Sequence, residues 1–171
     1  IDVSWISTDN IEMDSIKVYH TSDQNGNYNL IKSISSDSIN TSYKVPSGVS
    51  NYATAKLVAI DKSGNKNESI SEYFTITDNT PPTVVLSNPS ENDRIEIGTP
   101  ISVDWTGSDN VDVTSVDINY SIDVGLSWNE AGKNITGSES YQLQAPNFPT
   151  DNLIIQVIVR DAVGLSDTST V

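Results

Sequence analysis

The stretch Ile101-Ser102-Val103-Asp104-Trp105 decides the fold, because it repeats the pattern of Ile1-Asp2-Val3-Ser4-Trp5 after 100 residues. In both copies three apolar residues alternate with two polar ones, the period of two that is typical of a half-buried β-strand. The same spacing relates Asp61 to Asp161 much later in the chain, so the register holds. A repeat of this length corresponds to one small domain, and the 171-residue chain is therefore predicted to hold two copies.

Short strands separated by turns continue through both copies. Ala53, Ala55 and Leu57 share one strand face in the first copy, and Ile155 and Val157 do so in the second. Turn clusters rich in Asn, Asp and Gly lie between such runs, and no stretch carries a convincing helical stripe. Regularly spaced short strands of this kind indicate a β-sandwich. We therefore predict an all-β fold of two tandem Ig-like antiparallel β-sandwich domains.

The domain boundary is predicted at Asp78-Asn79-Thr80-Pro81-Pro82, since two prolines stiffen the chain and cannot occupy a ladder position. This gives domains of residues 1–78 and 79–171. The first domain has no counterpart of the strand that precedes Trp105, and the second stops before the counterpart of residues 73–77. We expect the chain to be a window on a longer array of repeats. The alternative is that a neighbouring chain donates the missing strand, as in donor-strand polymers.

The composition excludes several classes of function. Asp and Glu number 23 against 9 Lys and Arg, for a net charge of −14. Nucleic acids and anionic membranes are bound through clustered Lys and Arg, so neither is an expected partner. The chain has no cysteine, which excludes disulfides, thiol nucleophiles and cysteine-based zinc sites. No apolar run is long enough for membrane insertion of this segment.

Two segments of the second copy carry a family resemblance. The first runs from the boundary into Thr83-Val84-Val85-Leu86 and on to residues 101–105, and the second joins Ser108-Asp109-Asn110-Val111 to residues 116–128. Together they resemble the tandem bacterial and archaeal Ig-like modules of surface and secreted proteins. The resemblance implies an extracellular Ig-like or fibronectin-III-like sandwich that serves as a spacer, adhesin stalk, cell-wall-layer segment or accessory to a secreted enzyme. One departure is Val124-Gly125, where the family usually has Gly-Gly, and it predicts a hairpin with altered turn geometry.

Aromatic residues are the first candidates for ligand binding. Trp5 and Trp105 are each in phase with the apolar residues of their strand, so we predict that both are core residues. Trp128 follows a turn and lies among polar neighbours, which leaves a surface contact as the alternative to packing over an open end of the sandwich.

Enzymatic activity is not expected. The one histidine, His20, lies on a strand whose second copy has Tyr120, and it is interpreted as a half-buried aromatic residue. The sequence has no glycine-rich phosphate loop and no His-x-x-x-His spacing for zinc. A small sandwich also offers little cleft across which paired carboxylates could act.

Calcium is the expected ligand if the chain has a functional site. In an Ig-like sandwich the loop after the Trp105 strand and the loop after the Val157 strand emerge at the same pole. They bring Asp109, Asn110 and Asp112 towards Asp161, and the incoming linker adds Asp78. Hard oxygen ligands from three segments suit Ca²⁺.

The first domain offers a weaker set, Asp9, Asp14 and Asp61, at its own outer pole. The competing interpretation for both sets is that Asp and Asn are ordinary turn residues that bond to their own backbone.

The sequence therefore predicts a structural or spacer module of a longer extracellular or cell-surface repeat protein, stiffened by calcium. Its expected partners are neighbouring Ig-like domains of the same protein. One alternative is a ligand-binding adhesin or a carbohydrate-binding accessory of a secreted enzyme. The other is the subunit of an extracellular filament, whose partners would be further copies of the chain.

Overall fold

The computed structural model describes residues 1–10, 12–46 and 48–171, and within these ranges it contains strands and no helix. The predicted all-β class is confirmed. The chain forms two compact units, Ile1–Asp78 and Asn79–Val171. Among the described residues there is accordingly no helix long and apolar enough to cross a bilayer.

The strands of the second unit form two antiparallel sheets. They are β8 (Thr83–Asn88), β9 (Pro100–Ser108), β10 (Val113–Ser121), β11 (Asn129–Ile135), β12 (Ser140–Gln144), β13 (Ile154–Asp161) and β14 (Ser166–Thr170). One sheet has the order β12-β9-β8 and the other β11-β10-β13-β14. Val103 and Trp105 of the first sheet share one buried cluster with Ile118, Val157 and Val159 of the second. The unit is thus an Ig-like, fibronectin-III-like β-sandwich, as predicted.

The strands of the first unit repeat the order of β9 to β14, and one more strand follows them. They are β1 (Asp2–Ser4), β2 (Met13–Thr21), β3 (Asn29–Ser35), β4 (Asn40–Ser42), β5 (Ser50–Asp61), β6 (Lys66–Ile70) and β7 (Phe74–Ile76). The larger sheet has the order β3-β2-β5-β6, with β7 also pairing with β5, and β1 pairs with β4. Ile16, Val18 and Ala53 are buried at its centre.

The repeat extends to the pairing of individual residues. Met13 pairs with Asp61 in the first unit, and Val113 pairs with Asp161 in the second. A one-residue slip would turn every buried side chain of a strand to the opposite face, so the shared register fixes the same core positions in both units.

The two tryptophans differ in burial, which corrects half of the prediction. Trp105 is 3% exposed and lies in the core, as predicted. Trp5 is only half-buried, so its assignment to the core was wrong. The strands explain the difference: Trp105 lies within β9 and pairs with Leu86 of β8, whereas Trp5 follows the end of β1, which among the described residues pairs with β4 alone.

The hairpin in which Val124-Gly125 departs from the family pattern is present in both units, but its turn differs between them. In the second unit the Leu126 amide donates to the Asp123 carbonyl oxygen, and Val124 and Gly125 between them have φ of 60° and 82°. Positive φ at both central residues defines a type I′ turn, which Asn-Gly fits better than Val-Gly. In the first unit the Gly26 amide closes the turn instead.

Candidate metal centre

Strand pairing in the second unit brings two aspartates to one pole. Asp109 directly follows the end of β9, and the loop that it begins leads into Val113, the first residue of β10. Val113 pairs with Asp161, the last residue of β13. The ends of β9 and β13 therefore meet at this pole, where their aspartates are neighbours.

The linker residue Asp78 reaches the same place through β8. Thr83 pairs with Ser108, so the chain just before Thr83 runs past the loop that begins at Asp109. Pro82 is fully buried, and Asp78 is only 8% exposed. One carboxylate oxygen each from Asp78, Asp109 and Asp161 lies within 4.8 Å of the others.

Asp109 uses only one of its carboxylate oxygens for its own loop. Oδ2 accepts hydrogen bonds from the amides of Val111, at 2.8 Å, and Asp112, at 3.1 Å. Oδ1 is buried and accepts no hydrogen bond from any described residue. The two hydrogen bonds from backbone amides fix the orientation of the carboxylate, so Oδ1 is held in a position where it can bind a ligand.

Asp161 divides its two oxygens in the same way. Oδ1 accepts from the amides of Val163, at 2.9 Å, and Leu165, at 2.8 Å. Oδ2 is buried and has no hydrogen-bond donor within the described part of the chain, although Asp161 is only 4% exposed. A buried oxygen acceptor without a partner is costly, since it has lost its water and gained nothing in return.

The electrostatics of this group favour a cation. Three carboxylates stand close together with little solvent, and neither Asp109 nor Asp161 forms a salt bridge with a described residue. Mutual repulsion and lost hydration both oppose this arrangement. A hard divalent cation would offset both costs, and Ca²⁺ would complete its coordination shell of about 6–8 oxygens with backbone carbonyls and water.

The predicted junction site has two further residues. Asn110 and Asp112 are both exposed, on the same loop as Asp109. Asp112 supports the site through its backbone amide, which donates to Asp109, while its carboxylate is not part of the cluster.

The three aspartates proposed for the first unit are not gathered into a cluster. Asp9 accepts a bond from the Asn10 amide and Asp14 one from the Ser15 hydroxyl, and both are exposed. Among the described residues, the group at Asp78, Asp109 and Asp161 is the one set of three acidic, histidine or cysteine side chains close enough to share an ion.

The other two candidate residues, Trp128 and His20, contact side chains or turns of their own unit. Trp128 is 40% exposed and lies beside the Gly125 turn. His20 is 2% exposed, more buried than expected for a half-buried aromatic residue. Its Nδ1 is 3.0 Å from the Tyr43 hydroxyl and its Nε2 is 3.0 Å from the Ser22 hydroxyl, so both ring nitrogens are satisfied inside the unit.

Burial of His20 makes the first unit sensitive to acid. Burial lowers the pKa of His20, so the folded state favours the neutral imidazole. The stabilisation that follows is fully present above the unfolded value of about 6.5 and is lost as the pH falls below it. We expect the free energy of unfolding of the first unit to decrease between pH 7 and pH 5, as measured by denaturant titration. In the His20→Phe variant this decrease should vanish, and an unchanged pH dependence would contradict the assignment.

No protein-family model matches the chain, and no curated protein matches it. Among solved structures it is similar to the fibronectin(III)-like modules of Clostridium thermocellum CbhA. The sequence identity is 20% and the TM-score 0.47, over 99% of this chain and 82% of that one. The fold assignment therefore rests on the strand pairing and the two-sheet core.

Proposed function

We propose that the chain is a structural spacer module of a longer extracellular or cell-surface repeat protein, and that calcium stiffens the segment joining its two units. The observation that carries the proposal is the group of three carboxylates at Asp78, Asp109 and Asp161. Asp78 is the residue at which the chain passes from one compact unit to the next. An ion held by all three would tie this linker residue to two loops of the second unit.

The proposed stiffening acts on the conformational freedom of the linker. A short linker with two prolines is already semi-rigid, but its first residue carries a negative charge beside two others. Without a cation, repulsion between the carboxylates favours linker conformations that carry Asp78 away from the pole. Bound calcium would remove these conformations, so a series of such units would project its distal end further from the cell surface.

The test is a distance distribution between the units with and without calcium. The chain has no cysteine, so spin labels can be attached to cysteines introduced at Ser33 and Thr136, both of them exposed. Pulsed electron paramagnetic resonance should give a narrower distribution of distances between the labels in millimolar Ca²⁺ than in chelator or Mg²⁺. Asp161→Asn should abolish this narrowing. Equal widths under conditions where calcium is bound would reject the stiffening role.

A carbohydrate-binding accessory is the second candidate function, and the exposed indole of Trp128 is the observation that favours it. Sugar rings stack on exposed aromatic faces, and Trp128 is 40% exposed. Titration with soluble cello- and chito-oligosaccharides separates the two functions. A spacer should bind none of them, whereas saturable binding that Trp128→Ala removes would support the accessory role.

A further inference from the structure

The turns that contain Asp61 and Asp161 have similar backbones but different carboxylate partners. In each turn the aspartate amide donates to the carbonyl oxygen four residues later, at 3.1 Å. Gly64 and Gly164 occupy the same position with φ of 87° and 92°. The two turns therefore share this closing hydrogen bond and this glycine conformation, so the partners of their carboxylates can be compared position by position.

The residue four positions after the aspartate makes that difference. In the first unit Asn65 bonds Asp61 twice: its amide donates to Oδ1 at 2.8 Å, and its side-chain Nδ2 donates to Oδ2 at 2.7 Å. In the second unit Leu165 provides the same amide bond to Asp161 Oδ1 but has no side-chain donor. Both oxygens of Asp61 are thus occupied, whereas Asp161 keeps one buried oxygen without a donor.

We infer that this position controls whether the turn aspartate can bind calcium. Leu165 leaves Asp161 Oδ2 open to the ion, and Asn65 closes the corresponding oxygen of Asp61. The chain therefore binds one calcium ion, at the second unit, and the first unit binds none. This inference rests on the calcium site of the proposed function and names the residue that selects between the two units.

The behaviour of Asp61 is consistent with this role of Asn65. The pKa of Asp61 is lowered, with the side-chain hydrogen bond from Asn65 as the largest cause. A donated hydrogen bond stabilises the charged carboxylate in the same way as a bound cation does. Asn65 therefore stabilises the charged carboxylate of Asp61, as a bound ion would stabilise that of Asp161.

Calorimetric titration with calcium chloride tests the inference on the complete chain. The wild type should bind one ion, and Leu165→Asn should weaken binding at least about tenfold. A hydrogen bond to a charged group exceeds the ~1.4 kcal/mol that a tenfold change represents, and calcium must displace it. Leu165→Ala removes the same apolar side chain without adding a donor, so its affinity should stay close to that of the wild type. The midpoint of thermal unfolding in chelator shows whether each variant folds.

A second variant keeps the inference testable even if Leu165→Asn does not fold. Asn65→Leu removes the donor to Asp61 Oδ2, so the pKa of Asp61, measured by NMR titration, should rise towards its ordinary value. An unchanged pKa would overturn the role assigned to Asn65.

The remaining outcomes separate this inference from the proposed function. If Leu165→Asn binds calcium as tightly as the wild type while Asp161→Asn does not, the site stands and the selecting residue is wrong. Binding of two ions by the wild type would also overturn the inference, because the first unit would then bind calcium as well. If the wild type binds no calcium, the inference and the calcium site of the proposed function fall together.

Discussion

Replacement of Trp105 by alanine should destabilise the second unit by about 3–5 kcal/mol, the range measured when a large aromatic core residue is truncated. Trp105 is 3% exposed, and it packs from β9 against residues of the opposite sheet such as Ile118 and Val157. Removing the indole takes away its buried apolar area and leaves a cavity that a two-sheet core cannot close without moving a strand. A loss of this size is a large part of the stability of a small domain.

The matched control is Trp5→Ala in the first unit. Trp5 has the same place in the repeat but is half-buried, so its removal should cost clearly less. Denaturant unfolding followed by NMR resonances assigns each loss to its own unit without relying on tryptophan fluorescence. Equal losses at the two positions would contradict the difference in burial.

Calcium at about 100 times its dissociation constant should raise the unfolding midpoint of the second unit by about 10–20 °C and leave that of the first unit unchanged. A ligand at about 100 times its dissociation constant adds ~2.7 kcal/mol to the folded state. In a domain of this size each kcal/mol shifts the midpoint by roughly 4–8 °C. The physical origin of the gain is the neutralisation of buried carboxylates, two of which have an oxygen without a hydrogen-bond donor among the described residues.

Three conditions make this thermal prediction specific. Mg²⁺ should have little effect, because it gives up its water shell reluctantly and demands a smaller, more regular site. Asp161→Asn should remove the calcium-dependent rise. Asp14→Asn removes an exposed carboxylate of the first unit and should leave the calcium-dependent rise unchanged. A rise of equal size in the Asp161→Asn variant would place the calcium effect elsewhere.

The fold was predictable from sequence because two independent patterns agree. Strand periodicity indicates which residues face inward, and the 100-residue repeat requires both copies to follow one topology. The identical registers Met13 with Asp61 and Val113 with Asp161 are the structural form of that repeat. Burial of Trp5 was not predictable from its own strand, since it depends on whether another strand flanks it. The tryptophan pattern is the same in both copies, but the flanking partner is not.

The candidate site could be outlined from sequence but not resolved. Loop order alone places Asp78, Asp109 and Asp161 at one pole. Which carboxylate oxygen is committed to a backbone amide depends on turn geometry, and this geometry directs Asp109 inward while Asp112 stays exposed. The selecting residue was also missed, although the repeat carries its signal. Aligning the copies sets Asn65 against Leu165, but only the side-chain bond to Asp61 gives that difference a meaning.

A crystal structure grown in millimolar calcium chloride, with anomalous diffraction data, tests the calcium site most directly. We predict an anomalous peak bound by Asp109 Oδ1 and Asp161 Oδ2, with the Asp78 carboxylate in the same coordination shell and no peak beside Asp61. A water molecule in place of the ion, or a calcium peak only at exposed carboxylates elsewhere, would contradict this account.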